Sequence, residues 1–163
     1  MSELVIMFII SLWRLKKRFS IKRLNMKKCI SFILVFLFGM AAPAFAANYV
    51  KPAVFKQWLR SDKSMILVDI QPSEDFLEQH FKGSIMTDAY PVITGEDKKR
   101  LDPAVKKAKA SKGDVVIICP RGRTSASNAY DYLKAQGIPE NRLFILEGGI
   151  DGWPYKEMLV REK

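Results

Sequence analysis

One stretch of the sequence joins a nucleophile to the groups that would steady a negative charge beside it: Cys119-Pro120-Arg121-Gly122-Arg123-Thr124. Cysteine reacts as its thiolate, which is favoured where backbone N–H groups, a helix N-terminus or cationic side chains face the sulfur. All three are on offer here. Val115-Val116-Ile117-Ile118 reads as a buried strand leading into the cysteine, Gly122 permits a tight curl, and Arg121 and Arg123 bring charge. Beyond Thr124, the residues Ala126, Ala129, Tyr130 and Leu133 recur at helical spacing. In open parallel sheets ligands bind beyond the carboxyl ends of the strands, and Cys119 stands at such an end. A loop curling there turns successive N–H groups inward, so its centre suits an anion. The competing reading makes Cys119 a small apolar residue finishing a core strand and the two arginines a solvated loop pair. The strand-loop-helix context favours chemistry.

The elements that must hold this loop follow from the apolar pattern. Residues 65–70, 114–119 and 142–146 read as short, continuously apolar strands, and 84–87 as a weaker fourth. Such strands are covered on both faces, as in a parallel sheet. Helical patterns fall at 55–59, 73–79, 96–110 and 124–136. Gly137 and Pro139 stop the last of these, and Ser73-Glu74-Asp75 has the form of an N-cap followed by acidic residues that the helix dipole favours. Strand and helix alternate, which predicts an α/β fold with a mostly parallel central sheet flanked by helices. No repeat or low-complexity linker interrupts 47–163, so this region is expected to form a single domain.

The chain of 163 residues carries a formal net charge of +10, but the excess is not spread evenly. Residues 1–46 hold eight basic side chains against Glu3 alone, which leaves 19 basic and 16 acidic residues in 47–163. A surface for nucleic acid needs a clustered excess within the domain, so nucleic acid is not an expected partner. Region 1–46 reads instead as a targeting segment. Lys27-Lys28 precedes an apolar run from Cys29 to Met40, and Ala44 and Ala46 are the small residues a signal peptidase accepts, with cleavage expected after Ala46. The apolar run is about a dozen residues, short of the roughly 20 a spanning helix needs, so no stable membrane anchor is expected once the signal is cut. Met26 is the expected translation start, the alternative being an unusually long positive region that begins at Met1, and the product is expected in the periplasm or outside the cell. Cys29 leaves with the signal, and Cys119 becomes the single thiol, with no internal disulfide to form.

Around the cysteine loop the chain resembles the rhodanese family over roughly residues 50–155. Leu67-Val68-Asp69-Ile70 is similar to that family's early strand with its terminal Asp, and His80-Phe81-Lys82-Gly83-Ser84-Ile85 to its His-x-x-Gly-small-Ile segment. Gly148-Gly149-Ile150-Asp151-Gly152-Trp153 is similar to its closing Gly-Gly-x-x-x-Trp signature, in the same order along the chain. The resemblance implies a thiosulfate sulfurtransferase of rhodanese fold: Cys119 takes a sulfane sulfur from thiosulfate or a persulfide, holds it as a persulfide, and passes it to cyanide or a thiol. Residues Pro120, Arg121, Gly122, Arg123 and Thr124 would bind the donor and cradle the transferred sulfur. A thioredoxin-like protein is a further expected acceptor, and no cofactor or metal is implied. Two departures bear on donor preference: Thr124 stands where many members have arginine, with Arg121 and Arg123 displaced earlier, and Gln71 replaces an arginine after the early Asp. The resemblance gives His80 a structural turn role. Asp69 is expected to satisfy backbone donors, and Gly148, Gly149 and Gly152 to form a tight strand-to-helix turn with Trp153 packed over the site.

Two other functions compete. A cysteine-dependent phosphatase would need arginine six positions after the cysteine, where this chain has Ser125, and its loop is one residue longer. A module that carries sulfur or binds a partner without turnover would keep the same fold; the retention of Cys119, Gly122 and both arginines speaks against a decayed site.

Overall fold

The computed structural model describes residues 47–61 and 63–162, so the targeting segment read at 1–46 lies outside the described residues. A five-stranded sheet runs in the order β1-β6-β5-β2-β4, with every neighbouring pair parallel. Its strands are β1 (Tyr49–Val50), β2 (Met65–Asp69), β4 (Ile85–Met86), β5 (Asp114–Ile118) and β6 (Leu143–Leu146). The strand that leads into Cys119 is therefore the central one. Its register with β2 runs without interruption from Met65↔Asp114 to Asp69↔Ile118, so Asp69 and the cysteine loop emerge from the same end of the sheet.

Side chains alternate across a strand, and here the alternation sorts them into two cores. Ile66, Val68, Val115, Ile117, Cys119, Leu143 and Ile145 face one side, where α4 (Asp102–Ala110) and α5 (Thr124–Ala135) add Ala104, Ala108, Ala126, Ala129, Tyr130 and Leu133. Leu67, Val116, Ile118 and Leu146 face the other, with Phe55 of α1 (Pro52–Arg60), Phe81 and Trp153. Both faces are dry. Continuous apolar strands are what two covered faces demand, and each large side chain so buried contributes roughly 1.5–3 kcal/mol.

The stretch expected as one helix at 96–110 is two. α3 (Gly95–Lys99) opens with a capping box in which Thr94 and Asp97 exchange hydrogen bonds, and the chain breaks at Arg100 and Leu101 before α4 begins. Pro103 sets that break: lacking an N–H, it belongs in a helix's first turn and not in its middle. Ser73 is not a cap either. Pro72 holds the cap position of α2 (Ser73–Glu78), and the Ser73 N–H donates to Asp88 Oδ1 at 3.1 Å. The remaining strands, β1, β3 (His80–Phe81) and β7 (Leu159–Val160), are two residues each, too short to leave a period; β3 and β7 pair antiparallel as a small second sheet. The closing glycines do not lead into a helix. Turns run from Glu147 to Gly152, and Trp153 packs edge-on against Phe55 and Phe81, in the core beneath the sheet and not over the cysteine.

Candidate active site

Cys119 follows the last residue of β5 and shares the face of Ile117, which leaves it 2% exposed. The chain then curls through Pro120-Arg121-Gly122-Arg123 and enters α5 at Thr124. Gly122 makes the curl possible with φ +64°, and its N–H points back to Cys119 Sγ at 2.8 Å. A backbone N–H aimed at sulfur stabilises whichever form carries more negative charge. The amino end of the twelve-residue α5 lies at the rim and contributes partial positive charge in the same direction.

The loop is held from below by the turn after β6. Ile150 N–H donates to the Cys119 carbonyl at 3.0 Å and Asp151 N–H to the Pro120 carbonyl at 2.9 Å, while Ile70 N–H donates to the Ile118 carbonyl at 2.9 Å. Gly149, at φ +62°, lies so close beneath that a Cβ there would run into the Cys119 and Pro120 carbonyls. Gly122 is pressed in return on this turn: its Cβ would meet the Leu146 carbonyl at 2.6 Å and the Gly148 and Gly149 nitrogens at 2.9 Å. Two glycine turns thus pack backbone against backbone, which is how the Gly148-Gly149 pair, about 30 residues downstream of the cysteine, positions the sulfur.

Above Cys119 opens a cavity of about 150 Å³, bordered by Tyr90, Cys119, Pro120, Arg121, Arg123, Thr124 and Ser125. At roughly 30 Å³ per water this is room for about five heavy atoms, the size of a small oxyanion. Of the six residues read from the sequence as a site, five border this space, and Gly122 lies buried under it. Both arginines are exposed; Arg121 approaches Asp151 only loosely, at 3.9 Å, a pairing worth little in solvent. Tyr90 was missed. It lies in an irregular segment that no motif marks, and it reaches the rim because Thr87 N–H and Tyr90 N–H bond the Asp69 and Ile70 carbonyls at the ends of the sheet, at 3.0 and 2.9 Å.

His80 is not near this chemistry. Its ring stacks on Phe76 at 4.0 Å, Nδ1 meets the Phe76 carbonyl at 2.8 Å, and Nε2 faces Glu162 at 3.8 Å. Asp69, fully buried, accepts from the Gln71 N–H at 3.0 Å and from Gln71 Nε2 at 3.1 Å. Burial pushes its carboxyl up from 3.8 to about 7, against the lowering effect of those two hydrogen bonds. Between about pH 4 and 7 the folded protein therefore keeps a proton that the unfolded chain has released, so stability falls as pH rises through that window and levels off above it. The fall attributable to this group is roughly 4 kcal/mol at most. Asp69→Asn is expected to flatten the difference in denaturant midpoint between pH 5 and pH 8; equal differences in the two proteins would contradict the buried, protonated carboxyl.

An α/β domain with a cysteine at the end of its central parallel strand, set in a cradle made by its own backbone, is the class that these features define. Residues 51–156 match the profile of the rhodanese-like domain, and the chain belongs to that family. Solved structures agree at the level of fold. A yeast protein tyrosine phosphatase of the rhodanese family is 17% identical with a TM-score of 0.55, over 73% of this chain and 95% of its own. The As-Sb reductase of Leishmania major is 14% identical with a TM-score of 0.58, over 71% and 86%. A rhodanese-like domain protein from Staphylococcus aureus is 19% identical with a TM-score of 0.52, over 71% and 99%. No curated protein matches the chain.

Proposed function

We propose that this chain is a thiosulfate sulfurtransferase that carries sulfur on Cys119. The observation that carries the reading is the Gly122 N–H at 2.8 Å from Cys119 Sγ, at the floor of a cavity sized for a small anion and flanked by Arg121 and Arg123. In the proposed reaction the Cys119 thiolate attacks the outer sulfur of thiosulfate, the S–S bond breaks, and its electron pair leaves with sulfite. The persulfide's terminal sulfur then sits among the loop's N–H groups until cyanide or a thiolate attacks it and expels the Cys119 thiolate. A persulfide donor enters the same sequence with a thiol as its leaving group, and a thioredoxin-like protein is a suitable acceptor. No cofactor takes part.

Two of the similar folds are described as a phosphatase and a reductase, and the same scaffold accommodates such chemistry in those proteins. Here Ser125 offers no guanidinium to grip a transferring phosphoryl group, and sulfur transfer is the reading the loop favours. The proposal includes export: 1–46 serves as a cleavable signal, and N-terminal sequencing of the exported protein is expected to begin at Ala47.

Arg123, exposed at the rim, acts on the anionic donor. Arg123→Ala is expected to raise KM for thiosulfate about tenfold while leaving kcat within about threefold, since the interaction exists before the S–S bond breaks. Steady-state transfer to cyanide reads both constants. An unchanged KM would remove Arg123 from the donor site.

A further inference from the structure

Among the described residues, the space above Cys119 is bordered by Tyr90 and otherwise only by members of the run 119–125, so one residue closes it from across the loop. Tyr90 also borders a second cavity of about 310 Å³, and the border common to the two is Tyr90, Pro120 and Arg121. Pro120 is fixed in the loop by the Asp151 N–H on its carbonyl, and the Arg121 side chain is 77% exposed. The wall opposite the loop falls to Tyr90.

The chain mounts Tyr90 there on a fixed backbone. Thr87 donates to the Asp69 carbonyl twice, from its N–H at 3.0 Å and its hydroxyl at 2.8 Å, and the Val92 N–H closes a turn onto the Ala89 carbonyl at 2.8 Å. Ala89 and Val92 are fully buried. Asp88 accepts from the Ser73 N–H at 3.1 Å, and Arg100 bonds both its carboxylate and its carbonyl. With these anchors on both sides and its own N–H on the Ile70 carbonyl, the Tyr90 backbone cannot swing aside. Its side chain, however, is 45% exposed and belongs to neither core. A large aromatic ring left out of the core on a fixed backbone is available to whatever enters the cavity.

We propose that Tyr90 is a specificity-determining residue for the sulfur donor: its ring confines the space above Cys119 to donors the size of thiosulfate and turns bulkier thiosulfonates away. Thiosulfate, with about five heavy atoms, matches the cavity, whereas benzenethiosulfonate has about ten. Its phenyl group finds room once the Tyr90 ring is removed and the two cavities join. The chemistry is the same for both donors: the Cys119 thiolate attacks the outer sulfur, the S–S bond breaks, and its electron pair leaves with sulfite or with benzenesulfinate. The proposal rests on the sulfurtransferase reading above.

The test assays the full chain for transfer to cyanide from thiosulfate and from benzenethiosulfonate. Tyr90→Ala is expected to raise the ratio of kcat/KM for benzenethiosulfonate to that for thiosulfate about tenfold, and Tyr90→Phe to keep the parent's ratio. Tyr90→Trp, which enlarges the ring, is expected to lower it. A residue that merely supports the fold would change both donors together. An unchanged ratio in Tyr90→Ala, or an equal rise in Tyr90→Phe, overturns the proposal. Access to the thiol is read separately, without sulfur transfer, by labelling with methyl or benzyl methanethiosulfonate and mapping the Cys119 adduct by mass. Tyr90→Ala is expected to speed the benzyl reagent about tenfold more than the methyl one. Comparing each reagent with itself in the two proteins cancels its intrinsic reactivity. Equal acceleration of both reagents, or none, overturns the partition whatever the transfer assay gives. Size selection in labelling, with no persulfide formed from either donor, overturns the sulfurtransferase reading and upholds the partition.

Discussion

Cys119→Ser is expected to leave a folded protein whose sulfur transfer has dropped by on the order of 10⁴-fold or more. A serine hydroxyl is not a nucleophile at neutral pH without a general base, and among the described residues none borders the cysteine cavity. His80, the chain's one histidine, has its Nδ1 on the Phe76 carbonyl and its ring stacked on Phe76. Folding should survive, because among the described residues Cys119 Sγ accepts one hydrogen bond, from the Gly122 N–H, and a serine oxygen can accept the same one. The unfolding midpoint is accordingly expected within about 1 kcal/mol of the parent's. Transfer to cyanide and thermal unfolding, measured side by side, separate the two effects. A serine variant that still turns over would remove the nucleophile from the account; one that fails to fold would make Cys119 a core residue first.

Gly149→Ala is expected to be the most damaging change outside the loop itself. At φ +62° any side chain costs about 1–3 kcal/mol in backbone strain, and the added Cβ also collides with the Cys119 and Pro120 carbonyls. Neither carbonyl can give way freely, since Ile150 N–H and Asp151 N–H hold them. Overpacking of this kind adds about 1–3 kcal/mol more, so the melting temperature is expected to fall by about 10 °C or more. Any protein that does fold carries a displaced Cys119 carbonyl and a displaced cradle, and its transfer rate is expected to fall with it. Alanine at Gly137, whose Cβ would meet nothing within 4 Å, is the control: it bears the φ +88° strain but no collision, and transfer is expected to be kept. Loss of transfer in both would place the effect in global stability instead of in the cradle.

The parts of the fold read correctly from the sequence are those where burial imposes a period. β2, β5 and β6 are covered on both faces, so each is an unbroken apolar run, and the expected strands end within one residue of those observed. The same physics hides the short strands: β1, β3 and β7 are defined by a partner far along the chain and leave no pattern of their own. The split between α3 and α4 was written in Thr94, Asp97 and Pro103, but the run of lysines across it imitates one continuous helix. For the site, Cys119 and the loop glycine were legible because a strand, a curl and a helix are contiguous. Tyr90 was not, since only tertiary hydrogen bonds to the ends of the sheet bring it to the rim. Gln71 looked like a mere departure from a pattern. In the structure its amide nitrogen ties the buried Asp69 carboxyl to the Gln79 carbonyl, contacts that no local pattern marks.

The central claim is a sulfur atom carried on Cys119, and intact-mass spectrometry of the full chain before and after thiosulfate, then after cyanide, tests it most directly. The account predicts the gain of one sulfur, mapped by peptide analysis to Cys119 and not to Cys29, and its loss to cyanide with formation of thiocyanate. A free Cys119 thiol that gains no sulfur from thiosulfate or from a persulfide donor would contradict it.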